Sequence, residues 1–309
     1  MTILLASILD FLIGDPYSFP HPVKLMGRII SFEDRFFRKL ARDKNLKLMG
    51  LVIVLINISL GFTLPYFLLK SIKEIRWLYY SVNIYLIYSC IASRCLHYEA
   101  FKVVDALKEG LEEGRKRLSY IVGRDTKSLS EEEIIKATVE TVAENTSDGV
   151  IAPLLYIMIL GAPGGLMYKF VNTMDSMLGY MNEKYIDLGY FPAKVDDLFN
   201  YLPARITGVL MNLSSLSRFD SKNGFKVMIR DRKNHKSPNA IYPEAATAGL
   251  LGIQLGGSSV YHGKLVEKAN IGDNIFQISK KHIRSAVEIM YRSEILLILI
   301  YLLILRLID

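Results

Sequence analysis

The chain has 309 residues, 51% of them hydrophobic and 22% charged, with a mean hydropathy of +0.24 and a formal net charge of +7. That is too apolar for an ordinary water-soluble globule and too charged for a chain lying wholly in lipid, so an all-α, multi-pass membrane protein is expected. The basic excess lies in runs 24–47 and 218–236, as in loops on the cytoplasmic side, and no nucleic-acid-binding module or aromatic platform accompanies it.

The opening MTILLASILDFLIGDP lacks a basic start and a small-residue cleavage site, so it reads as a retained helix rather than a secretory signal. GDPYSFPHPVKLMG follows, with three prolines and flanking glycines stiffening an irregular loop around Asp15 and His21. The run Leu48–Leu69 is about 22 residues long, enough to cross a hydrocarbon core, and Trp77–Ser93 is the next candidate. Ile295–Leu305 is very apolar but short, and needs Met290, Tyr291 or Arg306 near an interface to complete a span. Cys90 and Cys95 show no metal or disulfide spacing and read as packing residues.

From Arg94 to Ile135 the chain reads as amphipathic helix, with Tyr98, Phe101, Val104, Leu107 and Leu111 at steps of three and four. Another helix is expected after it, capped by Ser128 or Ser130 and with the acids of SEEE in its first turn. Gly149–Tyr168 ends in GAPGGLMY, poor helix material, and Ile206–Ser217 is short, so part of this region is expected to be re-entrant or packed inward. No internal repeat or linker divides the chain, and one domain over 1–309 is the reading.

Polar residues of the kinds that chemistry uses gather in four places. The loop of Asp15 and His21 is the first. In VETVAENTSDG, Glu140, Glu144 and Asp148 fall at steps of four, a row of like charges that calls for a cation or a solvated face. Asn145, Thr146 and Ser147 add oxygens of the hard type that Mg²⁺ prefers. In MYKFVNTMDSMLGY, Lys169, Asn172, Thr173 and Ser176 can line one stripe beside Asp175, and in AKVDDLFNYLPAR, Asp196 and Asn200 sit one turn apart near Asp197 and Arg205. The fourth stretch, from His235, carries Ser237, Asn239 and Glu244 between prolines, then glycines that allow close backbone approach to a ligand.

These blocks, in this order from about Asp10 to Asp273, resemble the adenosylcobinamide-phosphate synthase family of cobalamin biosynthesis. GDPYSFPHPVKLMG, ENTSDGVIAP, YKFVNTMDSMLGY, VDDLFNYLPAR and SPNAIYPEAATAGLLGIQLGG carry the resemblance, jointly rather than singly. Lys194 departs from it, standing where arginine is expected before VDD, so no argument leans on that position. The resemblance implies ATP-dependent amide formation between adenosylcobyric acid and an aminopropanol phosphate, in a cell-membrane protein whose site faces the cytoplasm, with other enzymes of the pathway as partners. On that reading Glu140, Glu144, Asp148 and Asp197 do acid–base work, and Glu144, Asp148, Asp196 and Asp197 hold Mg²⁺. Lys169 and Arg205 hold phosphates, while Asp15, His21, Asn145, Asn172, Asp175, Ser176, Asn200, Ser237, Asn239 and Glu244 contact substrate. Two rival readings are an intramembrane prenyltransferase holding Mg²⁺-diphosphate on Asp196, Asp197 and Asn200 together with the Asn172 and Asp175 pair, and a transporter built on the broken apolar segments.

Overall fold

The computed structural model describes residues 1–16, 20–41, 44–235, 237–261, 264–266 and 269–308. Residues 17–19 of the first motif, 42–43 and 236 of the basic runs, and 262–263 of the fourth stretch lie outside the described residues. In chain order the helices are α1 (Thr2–Ile13), α2 (Pro22–Ala41), α3 (Leu46–Ser71), α4 (Arg76–Tyr88), α5 (Ser93–Glu109), α6 (Leu111–Leu118), α7 (Glu131–Thr146), α8 (Ala152–Leu178), α9 (Tyr190–Ser214), α10 (Ser221–Asp231), α11 (Ile241–Leu251) and α12 (Lys280–Ile308). A π-helical turn, Ser147–Ile151, lies between α7 and α8. Four short strands, β1 (Leu255–Gly256), β2 (Ser259–Tyr261), β3 (Lys264–Val266) and β4 (Asn270–Ile271), pair antiparallel as β1–β4 and β2–β3. The fold is all-α.

Two helical runs, Leu46–Ser71 and a window within Glu131–Leu178, are long and apolar enough to cross a membrane. The expected span at Trp77–Ser93 is corrected: α4 has 13 residues and ends at Tyr88, about 20 Å of helix against a hydrocarbon core of about 30 Å. The amphipathic stretch from Arg94 is likewise two helices, α5 and α6, parted at Gly110. GAPGGLMY is helical after all, and its glycines and proline act only as an interruption. Gly161 has φ 71° and ψ −167°, a conformation closed to most side chains, and helix resumes at once with Pro163 in its first turn, where a missing N–H costs nothing.

The chain divides into two compact units, one of residues 1–92 and 152–200 and the other of 93–151 and 201–309. In the first, α3 packs along α8, and α1 packs on α4. Helix α2 turns its acids inward, where Asn57 of α3 donates to Glu33 at 2.6 Å and Arg38 pairs with Asp34 at 2.6 Å. Its outer face shows Leu25, Phe32, Phe36 and Leu40, the reverse of a helix facing water. Burial raises the Glu33 carboxyl above its ordinary range, and the Asn57 bond partly offsets this.

In the second unit α7 lies against α5, α6, α11 and α12. Ser130 starts α7 with a reciprocal capping box: its hydroxyl accepts from the Glu133 N–H, and the Glu133 carboxylate accepts from the Ser130 N–H at 2.7 Å. Helices α10 and α11 pack closely, with Asn223 donating to the Gly249 carbonyl at 2.8 Å. The β1–β4 pair follows α11, with Leu255 opposite Ile271 and Gly256 opposite Asn270.

Candidate active site

A polar pocket of about 310 Å³ opens in the second unit, lined by Arg124, Glu140, Glu144, Asn145, His235 and Glu244 together with the Gly256–Gly257 backbone. Helix α7 presents Glu140 and Glu144 one turn apart, as their spacing predicts. Glu140 is buried and both its oxygens are engaged: Arg124 Nη2 donates to Oε2 at 2.5 Å, and the Gly256 N–H donates to Oε1 at 2.8 Å. A carboxylate so held ties the Arg124 loop and the β1 backbone to α7. Glu144 and Glu244 line the same pocket.

Asp148 does not line the pocket. The row stops because α7 gives way to the π turn, whose wider winding rotates residue 148 off the face of 140 and 144. The local cause is legible in retrospect. Thr138, Thr141 and Thr146 each donate a hydroxyl to the carbonyl four residues back, and the Asn145 amide donates to the Thr141 carbonyl, bonds that compete with the helical ladder. Among the described residues no three His, Cys, Asp or Glu side chains gather where they could hold a metal ion. Magnesium commonly takes only one or two carboxylates, the rest coming from water and substrate phosphate.

Gly256 serves the pocket through its backbone. Its φ is 72°, and a Cβ there would lie 2.4 Å from the Ala269 carbonyl oxygen, so only glycine lets this N–H reach Glu140. The strand pair is clasped from α10. Buried Asp231 accepts the Gly272 N–H at 2.8 Å and two Arg230 nitrogens at 2.7 and 2.8 Å, while Arg230 Nη1 lies 2.9 Å from both oxygens of Asp273. The Arg230 bond holds the Asp231 carboxyl below its usual value. A depressed folded-state pKa stabilises above the unfolded value of about 4 and is lost as pH falls through the lower folded value. Asp231→Asn is therefore expected to lower thermal stability at pH 7, with the difference from the unmodified protein closing as pH falls below about 4. A pH series of melting curves checks it, and a gap constant down to pH 2.5 would contradict it.

Arg205 lies over two rings, its Cζ 3.6 Å from the Tyr201 centroid and 4.3 Å from that of Tyr242. It donates to Asn239 Oδ1 at 3.3 Å and to the Tyr201 carbonyl. Ser237 Oγ accepts the N–H groups of Asn239 and Ala240 at 3.3 and 3.1 Å. Ser237 and Asn239 thus shape the α11 entry and position Arg205. His235 Nδ1 lies 3.0 Å from the Ser237 N–H and 3.3 Å from the Ser237 carbonyl oxygen.

The first unit holds a separate cluster. Asn200 is buried, donating to Asp196 Oδ2 at 3.0 Å and accepting from the Tyr168 hydroxyl at 2.7 Å. The Asn172 amide and the Asp175 carboxylate both lie near enough to act on Asp196. Burial first, and Asp175 second, hold the Asp196 carboxyl well above the usual range. Its Oδ1 is buried and has no hydrogen-bond partner. Lys169 is buried on α8, and Thr173 and Ser176 turn their hydroxyls back to the Lys169 and Asn172 carbonyls. Ser176 is exposed and Asp197 is half-exposed beside Lys194 at 3.5 Å. Asp15 and His21 pair with each other at 3.3 Å.

Two side chains of the pocket, Arg124 and His235, are not singled out by the sequence reading, whereas the glycines it marks for close backbone approach include Gly256, whose N–H reaches Glu140. Arg124 stands in a loop of no periodicity, 16 residues before its partner.

Known proteins place this architecture. The CobD/Cbib protein family model matches residues 3–290. The cobalamin biosynthesis protein CobD of Clostridium tetani is 53% identical over 302 residues, covering 97% of this chain and 95% of that protein. Its counterparts in Geobacter metallireducens and Citrobacter koseri are 45% and 41% identical, covering 96% and 97% of this chain and 94% and 97% of those proteins. No solved structure matches the chain. With a family model spanning nearly all of it and relatives this similar from end to end, the chain belongs to the CobD/Cbib family of cobalamin biosynthesis enzymes.

Proposed function

We propose that the chain joins an aminopropanol phosphate to a carboxylate of adenosylcobyric acid, with consumption of ATP, to give adenosylcobinamide phosphate. The observation that carries this reading is the second-unit pocket, which Glu144, Glu244 and His235 line together with the Arg124–Glu140 pair. An amine nucleophile arrives as an ammonium ion, so it needs carboxylates to bind it and take its proton. Glu144 and Glu244 do this, while His235 donates to anionic oxygen and Glu140, clamped by Arg124, keeps α7 and the β1–β4 pair in place. Arg205, already lying over two rings, is preorganised as a phosphate anchor.

Magnesium fits the first-unit cluster on one count: Asp196 carries a buried oxygen without a hydrogen-bond partner beside a second carboxylate, Asp175. Asp175 and Asp196 would hold the ion, with Asn172 and Asn200 orienting them and Asp197 on the same helical turn. Once bound it would neutralise phosphate oxygens during carboxylate activation. We place the site on the cytoplasmic side of a multi-pass protein, where ATP is supplied.

The test is the purified full chain in detergent with adenosylcobyric acid, aminopropanol phosphate and Mg²⁺, with and without ATP, read by mass spectrometry. A corrinoid of the amide's mass, formed only with ATP and in step with its consumption, is the expected result. Product independent of ATP, or none from folded protein, would overturn the reading.

A further inference from the structure

Beside the pocket, a mainly polar hollow of about 740 Å³ and a more apolar one of about 590 Å³ share Glu132, Gln277 and Ile278 in their linings. They belong to the second unit and follow α7, where Glu132 and Lys136 occupy the turns before Glu140. Gly257 stands where groove and pocket adjoin: it lines the pocket, and a Cβ on it would lie 4.0 Å from Lys136 Nζ, which lines the groove. A ligand lying in the groove therefore reaches the Glu140 pocket along one helix face.

The groove's chemistry is specific about charge. Three primary amides, Gln254, Asn274 and Gln277, line it, each offering two donors and an acceptor. Around them stand charges of both signs: Glu131 pairs with Lys280 at 3.1 Å, Glu132 accepts from Gln277 at 2.8 Å, and Glu133 is taken by the capping box. A polyanion would meet Glu131, Glu132 and Glu133, and a polycation would meet Lys136, Lys280 and Lys281. What fits is a large, neutral ligand that both donates and accepts many hydrogen bonds. The volumes go beyond an ordinary small-molecule pocket, about 300–1,000 Å³, only when the two hollows are taken together.

We propose that this groove is the subsite for the carboxamide-bearing rim of a macrocyclic substrate, which lies along α7 with its one reacting carboxylate in the adjoining pocket. This rests on the corrinoid reading above, since adenosylcobyric acid is a neutral-rimmed macrocycle of this class. Gln254, Asn274 and Gln277 are then specificity residues. They read amide N–H and carbonyl groups, and a macrocycle bearing ester groups, which only accept, would leave their acceptors unmatched.

The experiment is equilibrium dialysis of the detergent-purified full chain against adenosylcobyric acid and, separately, against the hexamethyl ester of the same corrin that keeps the one free carboxylate, each followed by its visible absorbance. The amide form is expected to bind at least tenfold tighter than the ester. Gln254→Leu/Asn274→Leu is expected to weaken the amide form by about tenfold to a hundredfold while leaving the ester and Mg-ATP unaffected, the latter showing that the variant is folded. Equal binding of amide and ester, or unchanged amide binding by the double variant, overturns the subsite while the function stands. Failure of the unmodified protein to bind either corrinoid overturns the functional reading, and the subsite with it.

Discussion

Asp196→Asn is expected to lose amide formation by about a hundredfold or more and at the same time to raise the melting temperature. The two effects have one cause. Asp196 is buried, carries an oxygen without a hydrogen-bond partner, and sits under the field of Asp175, so as a carboxylate it is held in place at a cost in stability. An amide keeps the shape, still accepts from Asn200, and removes the like-charge repulsion. A gain of about 1 kcal/mol corresponds to roughly 2–4 °C in a unit of this size. The same substitution takes away the negative charge that a cation would need. Asp197→Asn supplies the contrast, since Asp197 is half-exposed beside Lys194 and no gain in stability is expected there. Turnover by the detergent-purified Asp196→Asn protein, with melting followed in parallel, checks both halves. Retained turnover would remove Asp196 from the site, and a lower melting temperature would show its charge to be matched already.

Arg124→Met is expected to cost about 3–5 kcal/mol of stability, far more than loss of a surface pair, because it strands Glu140 as a buried charge with only the Gly256 N–H for company. Removing both partners, Arg124→Met with Glu140→Met, is expected to recover most of that loss, since two apolar groups of similar volume leave nothing stranded. Neither variant is expected to turn over. In both, the anchor that fixes α7 against the β1–β4 pair is gone, and Glu144 loses its register with Glu244. Urea unfolding of the two variants and the unmodified chain measures the difference. A double variant no more stable than Arg124→Met alone would show that the pair is not the origin of the loss.

Both predictions concern residues that linear pattern reading treats unevenly. Asp196 and Asn200 are one turn apart on a helix, so their meeting follows from the period alone. Glu140 and Glu144 share a face for the same reason, and the capping box at Ser130 and Glu133 is written in four consecutive residues. Spans read from hydropathy fare less evenly, because hydropathy reports composition and not where a helix ends. Leu48–Leu69 lies inside one long helix, but Trp77–Ser93 does not, its helix closing at Tyr88 within an unbroken apolar run.

What the sequence determined by itself is therefore what local periodicity, capping chemistry and block order can encode: an all-α chain, a long apolar helix, acids set on helix faces, and membership of a cobalamin biosynthesis family. The tertiary structure alone decided which of those acids are compensated. Arg124 meets Glu140 from a loop 16 residues away, and the Gly256 N–H reaches it from 116 residues away, held there by Asp231, Arg230 and Asp273. That Asp148 leaves the row is by contrast a local effect, a π turn arising from competition between side-chain and ladder hydrogen bonds that a count of fours cannot register. Electrostatic compensation depends on distance through space, and only packing sets that distance.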